Sequence, residues 1–71
     1  MPRLPVESSS LASVGYEPGT QRLEVEFRHG AVYAYSEVPQ QVFDAFMTAE
    51  SKGRFFNSEI RDRYECFKVR G

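Results

Sequence analysis

The chain of 71 residues holds one cysteine and one histidine, and no apolar run approaches the length of a membrane span. A lone Cys66 cannot close an internal disulfide, and with His29 as its one companion, a four-cysteine or Cys/His zinc site is excluded by count. The opening Met1-Pro2-Arg3-Leu4-Pro5 has none of the apolar continuity of a signal peptide. These absences point to a protein of the reducing cytoplasm with no membrane partner. Phosphate-loop and dinucleotide fingerprints are also missing. His29 stands beside Gly30 in a predicted turn, where a surface turn residue is the ordinary role, and Cys66 has an acidic neighbour, Glu65, that works against nucleophilic activation and leaves it a small packing residue. Glu24 and Glu26 share one strand face without any other ligand or acid placed beside them, as on most wet strand faces. The expectation is therefore a protein without catalysis, cofactor or metal.

What is present is a single domain over 1–71, near the lower limit at which one core sustains a fold, with residues 1–7 as a loose lead-in. Six Phe and four Tyr must supply much of that core. The net charge of −1 excludes a strongly basic nucleic-acid protein, but the charge is divided unevenly. Residues 1–51 carry three bases against seven acids, and residues 52–71 carry six against three. Positive charge is thus concentrated at one end.

Alternation of Ala12, Val14 and Tyr16 predicts a first strand, and Glu17-Pro18-Gly19-Thr20 a turn. In Arg22–Arg28 the side chains of Leu23, Val25 and Phe27 point one way and four charged residues the other, so one face is core and the other wet. A third strand runs from Ala31 to Ser36, completing an antiparallel meander. Its register depends on the turn before it. A two-residue turn at His29-Gly30 puts Tyr33 and Tyr35 on the face of Glu24 and Glu26; a three-residue turn, with Gly30 in the left-handed region, sends both to the core face.

Pro39 suits the first position of a helix over 39–50, whose apolar stripe is Val42, Phe43, Phe46, Met47 and Ala49. Ser51 caps a second helix over 52–60, with Gly53 allowing the change of direction and Phe56 and Ile60 facing the core. Tyr64 to Val69 leave room for a short edge strand. The fold class is α+β: a three-stranded antiparallel meander followed by two helices, βββαα, with that optional C-terminal edge strand.

Val14-Gly15-Tyr16, Leu23–Phe27, Tyr33-Ala34-Tyr35, Val38-Pro39, Ser51-Lys52-Gly53, Phe56-Asn57, Ile60 and Tyr64 together resemble the KTSC domain. That module is named after the carboxy-terminal part of some lysyl-tRNA synthetases and also occurs as a free-standing small bacterial protein. The resemblance covers about residues 7 to 69 and implies RNA binding without an assigned reaction. Relatives often carry a charge where this chain has Ala34, which favours the three-residue turn, since that side chain would then face water.

Single-stranded nucleic acid is held by a positive track beside aromatic faces on which bases stack. Lys52, Arg54, Arg61, Arg63 and Lys68 supply the candidate track; Tyr33, Tyr35, Phe55 and Tyr64 supply the candidate faces. The partner expected is RNA or DNA, RNA by the resemblance, bound by a monomer or weak homodimer. The alternative is a protein-interaction module or small homodimer that uses an exposed strand edge or the Phe55 and Tyr64 patch.

Overall fold

The computed structural model describes residues 3–71, in which a five-stranded antiparallel sheet carries its helices on one face. The strands are β1 (Leu4–Pro5), β2 (Leu11–Glu17), β3 (Arg22–Phe27), β4 (Val32–Tyr35) and β5 (Cys66–Arg70), and they lie side by side in chain order. Helix α1 (Gln40–Thr48), helix α2 (Lys52–Phe55) and a π-helix, π1 (Phe56–Ile60), connect β4 to β5. The three-strand meander expected from sequence is therefore the middle of a larger sheet. Residues 4 and 5, inside the expected loose lead-in, pair with Val14 and Ser13, and β5 joins the opposite edge against β4.

Leu23, Val25 and Phe27 do face the helices, and β2 presents Leu11, Val14 and Tyr16 to them. Ala12 is not in that series. A bulge between Leu11 and Ser13 inserts one residue, so the core positions of β2 are spaced three and then two apart, a spacing that simple alternation misses. The turn after β2 also ends one residue later than expected. Glu17 pairs with Arg22, Gln21 takes a positive φ of 58°, and its carbonyl accepts the Val38 N–H at 2.9 Å.

Phe46 is fully buried at the centre of the core, packed among Leu11, Leu23, Val25, Val38, Phe56 and Ile60. Val42, Phe43 and Met47 are half-buried around it, and Phe43 stacks on Tyr16 with centroids 4.6 Å apart. Pro39 takes the N-cap position of α1 instead of its first turn; at φ −65° and ψ 152° its backbone is extended, and its carbonyl accepts the Val42 and Phe43 N–H groups. Ser51 caps α2 as expected, its hydroxyl accepting from the Arg54 N–H at 3.2 Å. Gly53 is helical and not a hinge. A β-carbon there would stand 3.1 Å from Ser10 Oγ, so its role is the close approach of α2 to the loop before β2.

The outer face of the sheet is less wet than expected. Glu24 accepts from Arg3 at 2.8 Å and from Arg22 at 2.9 Å, and Glu26 from Ser13 Oγ at 2.7 Å and from Arg70 at 3.2 Å. The Ser13 hydroxyl, aided by the charges of Arg3 and Arg70, holds the Glu26 carboxyl below its ordinary range against the opposing effect of desolvation. Ala34, between Glu24 and Phe67 in the sheet, is fully buried, so position 34 does not face water in this chain. Arg22 lies over the Phe67 ring at 5.2 Å, which helps cover that face.

Replacing Phe46 by alanine should cost about 3–5 kcal/mol, the range for emptying a buried aromatic site. Urea denaturation of the variant checks this. A midpoint close to that of the parent would mean that α1 is not what closes the core.

Candidate nucleic-acid interface

The turn between β3 and β4 has three residues. Phe27 N–H donates to Ala31 at 2.9 Å, Gly30 N–H to Phe27 at 2.9 Å, and Gly30 has a φ of 107°, a conformation costly for any residue with a β-carbon. Tyr35 consequently pairs with Leu23 and Tyr33 with Val25, and both rings lie on the helix side. There they meet π1. Tyr35 and Phe27 each pack edge-on to Phe56, at 5.5 and 5.4 Å.

Between the open end of this sheet face and π1 lies a cleft of about 470 Å³. The sheet contributes Phe27, Tyr33, Tyr35 and Cys66; the turn contributes His29; π1 and the residues after it contribute Asn57, Arg61 and Asp62. The π-helix explains the last set. Its Arg61 N–H reaches back to the Phe56 carbonyl, so residues five apart, Asn57 and Asp62, fall on one side. A second, more polar groove of about 640 Å³ runs between the Ser8–Ser10 loop and α2, past Lys52 and Arg54. Ser10 and Asn57 line both, so the groove and the cleft adjoin at those two residues and are taken together as one channel.

The polar groups of the cleft are largely unspent. Neither the Asn57 amide nor the Arg61 guanidinium nor the Tyr33 hydroxyl makes a hydrogen bond among the described residues, whose side-chain bonds lie elsewhere. The three ion pairs among those residues all lie on the outer face of the sheet and involve Arg3, Arg22 and Arg70, so Lys52, Arg54, Arg61, Arg63 and Lys68 are not neutralised by a direct pair. Tyr35 shows 4% of its surface. Burial pushes its phenol up to about 12, with Cys66 and Tyr33 adding to the rise, Arg61 opposing it and Asp62 adding to it, so these groups converge on one hydroxyl. Among the described residues no three His, Cys, Asp or Glu side chains gather as a metal ion requires.

The residues expected from sequence to form one surface are divided. Lys52, Arg54 and Arg61 border the channel, and Lys68, opposite Tyr33 on β5, stands on the same side of the sheet. Arg63 and Tyr64 do not join them. They line a separate depression with Ser36, Glu37 and Glu65, and Arg63 is turned back to the Ser58 carbonyl. Tyr35 is too buried to stack on a base, and Phe55 lies flat against Phe46 at 5.6 Å, inside the core packing. Cys66, expected to be a packed residue, is exposed because nothing covers the edge strand.

The comparison with known sequences now bears on this geometry. The model of the KTSC domain matches residues 7–64. The chain belongs to the KTSC family. A KTSC domain protein from Yersinia pestis, solved by crystallography, superposes with a TM-score of 0.94 at 43% identity over 96% of each chain. A protein of Tsukamurella paurometabola is 48% identical over 87% of this chain and 92% of its own length. A lysine–tRNA ligase of Nostoc is 38% identical over 90% of this chain, but the match spans 11% of the ligase.

Within this KTSC domain, sequence reasoning missed His29, Asn57 and Asp62 as residues of the cleft. His29 is exposed and lies parallel to Phe27, with a 2° angle between rings 5.6 Å apart, and Asn57 sits where the groove and the cleft adjoin. The signals of His29 and Asn57 were present but weak: a histidine two residues after a core phenylalanine, and a helix surface asparagine. Absorbance titration of the folded protein should show one tyrosine ionising near 12, and Tyr35→Phe should remove it. Because the folded value lies above the ordinary 10.0, the stability linked to Tyr35 is complete below that pH and is lost as pH rises through the folded value.

Proposed function

We propose that this KTSC domain is a non-catalytic module that binds single-stranded nucleic acid, RNA in preference to DNA, along the channel between the sheet and its second helix. The observation that carries the reading is the pairing of unneutralised cations with an open aromatic stack. Lys52 and Arg54 line the groove, Arg61 lines the cleft, Lys68 stands on the same side of the sheet, and the Phe27–His29 stack borders the cleft. Cations following a backbone and rings taking bases are the two parts that single-strand binding needs. The RNA preference rests on kinship, since a related segment is found in lysine–tRNA ligases. The cytoplasm is the compartment that an exposed, unpaired Cys66 suits.

A second reading draws on β5, whose outer edge is unpaired and whose Phe67 and Val69 are half exposed. Such an edge accepts a strand from a protein partner or a second copy. Salt separates the two readings, being steep for phosphate contacts and shallow for a strand-edge interface.

The double variant Arg54→Glu and Arg61→Glu should keep the parent's melting temperature, both residues being exposed, and lose RNA affinity at low salt. Its salt slope should drop by at least about 0.7, the share of one phosphate contact removed from a single strand. A folded double variant that binds RNA as tightly as the parent contradicts the proposal.

A further inference from the structure

We infer that the cleft reads guanine: it takes one unstacked guanine base of the bound strand, with Asp62 accepting from its N1–H and N2 amino groups and Asn57 or Arg61 donating to the adjoining O6 and N7 edge. This rests on the proposed function and goes beyond it, to which base the site prefers.

The cleft holds groups of both signs. A channel that served phosphate alone would gain nothing from a carboxylate, yet Asp62 lines the cleft beside Arg61 without an ion-pair partner among the described residues. Lys52 and Arg54 line the groove without an acid paired to them, while the cleft sets one cation, Arg61, beside one anion, Asp62. Phosphates suit the groove and a neutral base suits the cleft.

The donor and acceptor pattern of the cleft narrows the base. An ionised carboxylate only accepts. Guanine alone among the bases of RNA presents two adjacent donors, N1–H and the N2 amino group, which fit the two oxygens of a carboxylate. Adenine sets one amino donor beside an acceptor, cytosine does the same, and uracil places its single N–H between two carbonyls. Each of these brings a lone pair against the carboxylate. The remaining edge of guanine, O6 and N7, accepts, and it is matched by an arginine or an amide N–H₂. Asn57 and Arg61 are such donors, and neither has a side-chain hydrogen bond to give up among the described residues.

The cleft also offers space and a platform. About 470 Å³ lies within the range of pockets that hold a small ligand. The parallel Phe27–His29 stack supplies a flat aromatic surface at its rim, and the turn that carries it also fixes Tyr33.

The test measures fluorescence anisotropy at low salt with labelled oligouridine strands of about eight residues, a length suited to one small domain, each with a single central guanine, inosine, adenine or cytosine. The guanine strand should bind at least about fivefold more tightly than the adenine and cytosine strands, the lower bound for one good bidentate contact. Inosine, which lacks the 2-amino group, should lose most of that advantage. Asp62→Asn, at an exposed position, should keep its melting temperature and bring the guanine and adenine strands to within about twofold. Equal binding of all four strands by the parent overturns the guanine site while leaving single-strand binding intact. Binding of none overturns both. Competition by free guanosine monophosphate at the octamer's own affinity would retain the guanine site and remove the strand from the account.

Discussion

The conformation of Gly30 is the constraint on which the rest of this domain depends. A positive φ of 107° at that residue closes a three-residue turn and fixes the register of β4 against β3. In a pleated strand a slip of one residue exchanges the faces. With the observed register, Tyr33 and Tyr35 face the helices, Ala34 and Val32 are buried on the other side, and the hydroxyl of Tyr35 comes under the influence of Arg61, Asp62 and Cys66. The other register would remove both rings from the core and the cleft together. Fold and candidate site therefore hang on one backbone torsion.

A second relation concerns where charge is spent. The acids of β3 are engaged by arginines that come from both ends of the chain: Arg3 precedes β1, and Arg70 closes β5. These pairs are partly exposed and each contributes little to stability. Their larger consequence is distributive. By occupying Glu24 and Glu26 on the outer face, Arg3, Arg22 and Arg70 leave the sheet's strongest acidic pair unavailable to the other face, where Lys52, Arg54, Arg61 and Lys68 remain unneutralised. A chain of net charge −1 thus keeps a locally positive channel.

Much of the fold was legible because its periodicities are strict. Leu23, Val25 and Phe27 announce a half-buried strand, and Phe46, Phe56 and Ile60 announce helices that cover it. The turn was open between two lengths, and the residue pattern of strand β4 reads equally well in either. Strand β1 escaped because its two residues carry no period, and the C-terminal edge strand was legible only as an option over Tyr64 to Val69, because β5 is exposed throughout and burial leaves no pattern in its sequence. The candidate site was legible as a list of cations and rings but not as a place. The π-helix, which has no sequence signature of its own, brings Asn57 and Asp62 to one side and leaves Arg63 and Tyr64 on another. Burial of Tyr35, and the packing of half-buried Phe55 on Phe46, follow from a small domain's need for its rings inside.

The central claim is that one channel, between the sheet and its second helix, receives a single strand. Backbone amide shifts recorded by nuclear magnetic resonance during titration with a short single-stranded RNA test it most directly. The account expects changes confined to the turn at His29, to Tyr33, to Ser8–Ser10 and to the stretch from Lys52 to Asp62, with β5's outward residues Phe67 and Arg70 unmoved. Shifts centred on β5 and the outer face, with the channel silent, would contradict it.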